Sequence, residues 1–376
     1  MKGTDARKCL FYHKNPYEAE KTADLFLQAV RENLLFHMEH CPTYADILKA
    51  RHFSPDDLKT EAGLWKIPVL PTLYFKRNRL FSMPEDQLSV SATSSGTQGA
   101  QSVVGFDANS MRLGVAMMTR FLSYHKLISK IPTNYLILGY EPSEHTQTGA
   151  VKTAHGITRF APALHREYAL KDTGSGYEPN PEGVKKALFR YAKSGFPVRL
   201  VGFPSYLWRL VGELEKRGIS IKLHRDSKVL LGGGWKQFSG KQIESEKLFE
   251  TVEKTLGIAR QNCFEFFSAV EHPLPYLKCK NGHFHETIYS RVIVRDVKTL
   301  EPVPDGQIGL LSFITPLVGS MPLLSVVTDD LAAVYPEKTS DCEISTRFFD
   351  LKGRAGVGGI KTCTVEASEL LKGENL

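Results

Sequence analysis

Short apolar runs separated by one helix constrain the fold more than any other feature of this sequence. Residues 198–201 form such a run, Pro204 begins a helix, and residues 219–221, 229–231 and 263–267 are further apolar runs. The helix carries its apolar side chains on one face: Leu207, Leu210, Val211 and Leu214. This alternation predicts an α/β fold with a covered parallel sheet, whose ligands bind beyond the carboxyl ends of the strands.

A stretch of hydroxyls and glycines lies between two other apolar runs. Residues 88–92 enter it and residues 103–106 leave it, which predicts a hairpin. Glycines let the backbone approach a ligand, and successive N–H groups bind phosphate oxygens, so we interpret the loop as a phosphate cradle. A flexible surface loop is the alternative, and no Gly-Lys-Ser/Thr ends the stretch as in a Walker loop. The residues concerned are Ser94, Ser95, Gly96, Thr97, Gln98 and Gly99.

Charge and composition exclude several function classes. The 376 residues carry a net charge of +7, are 42% hydrophobic and are 24% charged, as in ordinary globular proteins. The positive charge suits acidic small molecules such as ATP or a carboxylate, with simple solubility as the alternative, and because the basic residues are scattered we do not expect nucleic acid as a partner. The longest apolar stretch, residues 309–327, is broken by Pro316, Gly319 and Pro322, which argues against a membrane span.

The cysteines and the N-terminus predict where the protein is found. None of the six cysteines belongs to a Cys-x-x-Cys pair, and the N-terminus has no apolar signal core. A long chain of this kind suits the reducing cytoplasm.

The chain divides by pattern into three sections. Residues 1–84 read as a helical section packed on the core, with helical spacing between 18 and 38. Residues 85–345 read as the α/β core, and residues 346–376 as a hinge-like mobile tail. Within the core, residues 141–182 lack periodicity and predict long loops.

The hydroxyl and glycine loop resembles the Thr/Ser-Ser-Gly-Thr-Thr-Gly signature of adenylate-forming enzymes. Gln101 and Ser102 stand where a basic residue usually follows. The likeness is closest to the phenylacetate–CoA ligases and to the acyl-protein synthetases of bacterial bioluminescence. It implies ATP and Mg²⁺ as cofactors, an acyl-adenylate product, and a large α/β domain of mixed and parallel sheets with a truncated C-terminal lid.

Two segments after predicted strands resemble ligand-contacting segments of that family. Gly202 begins a turn similar to the substrate-side Pro-Ser-Tyr turn, and Gly232 begins one similar to the adenine-contacting glycine segment. The resemblance implies a substrate role for the first set and a nucleotide role for the second. These sets are Phe203, Pro204, Ser205 and Tyr206, and Gly233, Gly234 and Trp235.

Three further segments resemble the family's acidic and basic motifs. Residues 267–271 are similar to aromatic-Gly-x-Thr-Glu, which implies that Phe267 contacts nucleotide and Glu271 helps to hold Mg²⁺, although Val270 replaces the Thr. Residues 328–332 are similar to Thr-Gly-Asp-Leu-Ala, which implies that Asp330 binds the ribose hydroxyls. Arg354 lies in a Gly-Arg pair similar to one near the hinge.

Attack of a carboxylate on phosphorus needs charge neutralisation more than acid–base help. Lys236 and Arg354 are therefore the candidate cations, with a surface lysine as the alternative for Lys236. The glycine-rich segment 353–363 resembles the end of the acyl-protein synthetases, which implies that Cys363 accepts the acyl group. Lys361 would lower the pKa of that thiol. A tail cysteine without a role is the alternative.

These features predict an ATP-dependent acyl-protein synthetase that acts on a fatty or aromatic acid and serves an acyl reductase or another acceptor protein. An acyl- or aryl-CoA ligase without its lid and a non-catalytic nucleotide- or acyl-binding protein are the alternatives. Zinc is a separate open question, because Cys279, His283 and His285 lie within one short run, with Cys263 and His272 not far away. Their spacing is not that of a standard zinc finger.

Overall fold

The computed structural model describes residues 5–93, 102–143, 149–234, 243–337 and 342–355, without the side chains of 149, 150 and 153. The helices are α1 (Ala6–Phe11), α2 (Ala19–His40), α3 (Pro42–Ala50), α4 (Glu61–Leu64), α5 (Thr72–Arg77), α6 (Ala108–Tyr124), α7 (Gly149–Ile157), α8 (Pro181–Lys193), α9 (Pro204–Lys216) and α10 (Ser245–Leu256). The strands are β1 (Leu70–Pro71), β2 (Val90–Thr93), β3 (Val103–Phe106), β4 (Thr133–Tyr140), β5 (Ala163–Asp172), β6 (Tyr177–Pro179), β7 (Val198–Gly202), β8 (Lys228–Leu231), β9 (Cys263–Phe267), β10 (Tyr276–Leu277), β11 (Phe284–His285), β12 (Arg291–Arg295), β13 (Gly309–Ile314), β14 (Ser325–Tyr335) and β15 (Phe348–Arg354).

The chain forms two compact units. The first combines Met1–Tyr124 with Ala269–Leu376, and the second is His125–Ser268. No described helix combines the length and the apolar character that a membrane crossing needs.

The second unit contains the predicted parallel sheet. Its strands lie in the order β9, β8, β7, β4, β5, β6, and only the β5–β6 pair is antiparallel. Pro204 occupies the first turn of α9, and Gly257 ends α10 in the left-handed conformation with φ +67°. The predicted apolar face of α9 is buried in the core that covers the sheet. The α/β expectation is therefore confirmed.

Two expectations for the second unit are wrong. Residues 219–221 are not a strand, because the Ile221 N–H donates to the carbonyl of Thr255 (2.7 Å) at the end of α10. Residues 141–182 are not only loops, because they contain α7, β5 and β6. Residues 164–166 of β5 are exposed, so this strand lacks the alternation that would have marked it in the sequence.

The first unit contains a largely antiparallel sheet with strand order β11, β15, β14, β13, β12, and β1 pairs with β14 in parallel. The predicted helix between 18 and 38 is confirmed as α2. The strands β12 and β13 also form a hairpin, with Gly306 at φ +84° in its turn. A second hairpin, of β2 and β3, surrounds the hydroxyl and glycine loop, as expected.

An irregularity interrupts β14 in the middle of this sheet. Leu310 pairs with Leu331, but Ser312, two residues later, pairs with Val327, four residues earlier. Two extra residues therefore lie on β14 between these pairs. Such bulges bend a strand and redirect its side chains, and they are common beside active sites.

Candidate active site

The described chain resumes after the hydroxyl and glycine loop at Ser102. Its side chain is fully buried, and its hydroxyl donates a hydrogen bond to Oε1 of Glu271. The carboxylate of Glu271 is also buried, and its backbone lies in a tight turn, where the N–H groups of Ala269 and His272 each donate to the other's carbonyl (3.3 and 3.2 Å). The exit of the loop is thus joined to a predicted Mg²⁺ ligand.

His272 fixes the position of this turn from within the core. Its Nε2 lies 2.8 Å from the hydroxyl of Tyr276, and its ring stacks on Phe313 at 4.1 Å between centroids. Burial lowers the pKa of His272 to about 3, so the ring is neutral at physiological pH. Glu271 therefore directly precedes a buried, uncharged anchor along the chain.

Asp330 and Arg354 are direct neighbours across the β14–β15 pair. Nε of Arg354 lies 3.7 Å from Oδ1 of Asp330. Burial raises the pKa of Asp330, the Arg354 guanidinium opposes this rise, and the carboxylates of Asp329 and Glu271 add to it. Three predicted site residues, Glu271, Asp330 and Arg354, are thereby placed in one electrostatic cluster.

The position of this cluster in the sheet corrects one expectation. The sequence predicts ligand sites beyond the carboxyl ends of parallel strands, but residues 328–330 lie inside β14 of the antiparallel sheet. Asp329 and Asp330 lie at the bulge in β14, where the regular alternation of side chains between the two faces of a strand is interrupted.

Two residues of this cluster were not identified from the sequence. Asp329 has a buried Oδ1 for which the described residues provide no hydrogen-bond partner, while its backbone carbonyl accepts from the Ala355 N–H at 2.7 Å. Ser102 contacts Glu271, whereas in the sequence it marked only the absence of a basic residue. The paired acids in an apolar run were a usable signal for Asp329, but nothing local distinguished Ser102.

Glycines shape the carboxyl ends of two parallel strands in the second unit. Gly202 ends β7 with φ +134°, and a Cβ atom there would lie 2.5 Å from the carbonyl oxygen of Leu138. Gly232 follows β8 and donates its N–H to the carbonyl of Gly202 at 3.0 Å. Gly233 and Gly234 have φ values of +76° and +64°, in the region that side chains other than glycine rarely adopt.

An aromatic cluster lies at the same strand ends. The buried Phe203 ring lies 6.3 Å from that of Tyr140 and 6.1 Å from that of Tyr206, and Tyr140 meets Tyr177 edge-on at 4.9 Å. Pro204 and Ser205 begin α9, and the hydroxyl of Ser205 is buried without a hydrogen-bond partner among the described residues. Tyr140 and Tyr177 were not predicted, because each falls in a segment whose neighbours in space are distant in sequence.

Several predicted site residues cannot be placed in this geometry. Phe267 is the last residue of β9. The others lie outside the described residues: Ser94, Ser95, Gly96, Thr97, Gln98, Gly99, Trp235, Lys236 and Cys363. Their roles stay predictions.

The chain is similar to known ligases. It is 24% identical over 325 residues to the long-chain-fatty-acid–luciferin-component ligase of Aliivibrio fischeri, covering 86% of this chain and 82% of that protein. It is 26% identical over 326 residues to the Vibrio harveyi enzyme of that name (82% and 79%). It is 23% identical over 318 residues to the phenylacetate-coenzyme A ligase of Pseudomonas putida (82% and 66%).

A solved structure shows the same fold. The 2-hydroxyisobutyryl-CoA ligase, crystallised in the postadenylation state with 2-HIB-AMP, superposes with a TM-score of 0.68 at 13% identity, over 91% of this chain and 69% of that one. The sequence profile described as "Acyl-protein synthetase, LuxE" matches residues 8–372. The protein therefore belongs to the acyl-protein synthetase family and is an AMP-forming ligase with the adenylate-forming α/β fold.

Proposed function

We propose that this protein uses ATP to activate a fatty or related carboxylic acid as an acyl-adenylate, transfers the acyl group to Cys363, and passes it to a partner such as an acyl reductase. The observation that carries the proposal is the cluster of Glu271, Asp330 and Arg354, two carboxylates and a guanidinium at the places that the adenylation motifs predict. The names of the relatives, ligases of long-chain fatty acids and of phenylacetate, supply the substrate class.

The first unit would bind the polar parts of the nucleotide. Asp330 accepts hydrogen bonds from the ribose hydroxyls. Arg354, its neighbour on β15, offers a cation toward the phosphates. The N–H groups of residues 94–99 would bind phosphate oxygens. Lys236 is the second candidate cation, and the candidate contacts to the base are Gly233, Gly234, Trp235 and Phe267; all five residues belong to the second unit.

The residues around Glu271 fit a magnesium ion. The buried carboxylate of Glu271 and the hydroxyl of Ser102, which contacts it, are hard oxygen donors, the type that Mg²⁺ prefers. Glu271 would hold the ion, which when bound supplies neutralisation of phosphate charge. Ser102 orients the Glu271 carboxylate by its hydrogen bond.

The second unit would bind the acid. The rings of Phe203 and Tyr206 provide an apolar surface for an alkyl or aryl chain, and Ser205 offers a polar hydroxyl beside it. In the first step a carboxylate oxygen bonds to the α-phosphorus, and the bond from that phosphorus to the bridging oxygen breaks and releases pyrophosphate. In the second step the thiolate of Cys363 bonds to the acyl carbon, and the carbon–oxygen bond to AMP breaks.

Intact-mass spectrometry tests this sequence of steps. The protein is incubated with Mg-ATP and a panel of fatty and aromatic acids, and Cys363→Ser is compared with the matched control Cys9→Ser, which removes an exposed cysteine. We expect a hydroxylamine-labile acyl adduct in the wild type and in Cys9→Ser, and none in Cys363→Ser. AMP release that requires added CoA, without an adduct, would instead indicate the CoA-ligase activity of the phenylacetate relatives. No AMP under either condition would overturn the proposal.

A further inference from the structure

Three potential metal ligands converge in the first unit. Cys279, His285 and Cys342 each place a ligand atom within 4.8 Å of the others, and the two sulfurs are 3.3 Å apart. Cys279 and His285 belong to one hairpin, whereas Cys342 is 57 residues after His285 in the sequence. The antiparallel pair of β11 and β15, in which His285 is opposite Phe348, brings the two segments together.

The hairpin turn directs Cys279 toward His285 and His283 away from it. The Cys279 N–H donates to the carbonyl of His283 (2.8 Å), and the Gly282 N–H donates to the carbonyl of Cys279 (3.0 Å), with Gly282 at φ +90°. Nδ1 of His283 lies 2.7 Å from Oδ1 of Asp350. The structure therefore replaces His283, one of the three residues that the sequence suggested for zinc, by Cys342.

His285 provides a second, independent indication of a ligand. Its ring is 1% exposed, and Nδ1 lies 3.3 Å from the carbonyl oxygen of Thr346, to which the Nδ1–H donates a hydrogen bond. The lone pair therefore resides on Nε2, which is buried and has no hydrogen-bond partner among the described residues. A backbone carbonyl on one ring nitrogen and a metal on the other is the usual arrangement of a metal-bound histidine.

We propose that Cys279, His285 and Cys342 bind one Zn²⁺ ion. Two thiolates and a neutral imidazole are a donor set that zinc prefers, and the two thiolate charges balance the ion. The three ligands leave one position of a tetrahedron for a water molecule or a further ligand. Both cysteines are free thiols in the structure, so the cluster is ready to bind metal.

The ion would add a link between the hairpin and the segment before β15, beyond the pairing of β11 with β15. The hairpin contributes Cys279 and His285, and the segment before β15 contributes Cys342. Near Cys342, the contacts between the hairpin and this segment are polar and partly exposed. Nδ2 of Asn281 lies 3.3 Å from Sγ of Cys342, and Nζ of Lys280 lies 3.4 Å from Oε1 of Glu343. We infer a structural role, which does not depend on the proposed acyl chemistry.

Metal analysis of the full chain tests the site. The protein is purified through a tag without histidines, in buffers without chelators, and its zinc content is measured by plasma mass spectrometry after gel filtration. We expect about one zinc per chain. Exchange for Co²⁺ should give the visible bands of tetrahedral cobalt and a thiolate-to-cobalt charge-transfer band, a readout that needs no variant.

Matched substitutions distinguish this set of ligands from neighbouring residues. Cys342→Ser and His285→Gln should lower zinc affinity by about tenfold or more and change the cobalt spectrum. His283→Gln and Cys9→Ser should retain the metal. The proposal is overturned if the wild type holds no zinc or cobalt after incubation with the ions, if peptide mapping finds a Cys279–Cys342 disulfide in the metal-free native protein, or if all four variants bind metal equally.

Discussion

The two units of this protein build their candidate sites in different ways. In the second unit, Gly202 is the last residue of β7, Phe203 comes directly after it, and Gly232 follows β8. The candidate site there lies where the backbone leaves the parallel sheet. In the first unit, Asp329 and Asp330 lie inside a strand, at a bulge of an antiparallel sheet. The comparison shows that one chain can position candidate site residues both at the ends of strands and at a distortion within a strand.

The physical cost also differs between the two regions. In the second unit the cost is conformational, because at position 202 only glycine fits beside the carbonyl of Leu138. In the first unit the cost is electrostatic, because burial and the neighbouring carboxylates disfavour the charged form of Asp330. A bound cation would relieve the electrostatic cost in the first unit but would not change the backbone constraint in the second unit.

The largest effect should follow loss of charge in the first unit. Glu271→Gln retains an acceptor for Ser102 but removes the carboxylate, so AMP formation from Mg-ATP and acid should fall about 100-fold or more. The steady-state rate of pyrophosphate release measures this loss of activity. The matched control Glu39→Gln alters an exposed residue of α2 and should leave the rate unchanged. A rate of Glu271→Gln within about threefold of the wild-type rate would contradict a charge-based role for Glu271 in the first unit.

A smaller effect should follow loss of a glycine in the second unit. Gly202→Ala forces a Cβ atom into contact with the carbonyl of Leu138 at φ +134°, which should cost about 3 kcal/mol of unfolding free energy. Gly212→Ala is the matched control, because it lies in α9 with no atom near its added Cβ and should stabilise by up to about 1 kcal/mol. Urea unfolding followed by fluorescence distinguishes them. Equal midpoints for the two variants would show that the turn at Gly202 is not constrained.

Acid should destabilise the first unit more than the second. Burial lowers the pKa values of His37 and His272 in the first unit to about 3, from 6.5 in the unfolded chain. The stability that these neutral rings contribute is complete above pH about 6.5 and is lost as the pH falls toward 3, by about 2 kcal/mol per histidine at pH 5. The described histidines of the second unit are half-buried or exposed.

Hydrogen exchange at pH 7 and pH 5, corrected for intrinsic rates, measures this difference unit by unit. We expect amides of the first unit to lose more protection, and His272→Gln to reduce that loss. Equal losses in the two units would contradict the assignment of acid sensitivity to the buried histidines.

The elements that the sequence predicted best are those with strong local signals. The strands β7, β8 and β9 are apolar runs and α9 begins at Pro204, because backbone preference and burial act within a few residues there. The strand β5 was missed because part of it is exposed. The tail containing Cys363 and the division into three sections stay predictions.

The sequence by itself determined the α/β class, the family and most of the candidate site residues, since motifs and apolar periodicity are written in contiguous residues. Only the tertiary structure decided that Ser102 contacts Glu271, that Arg354 is opposite Asp330, and that Cys342 rather than His283 joins Cys279 and His285. Those partners are separated by 169, 24 and 63 residues along the chain. Strand register and chain reversal bring them together, and neither is encoded in the local pattern around any one of them.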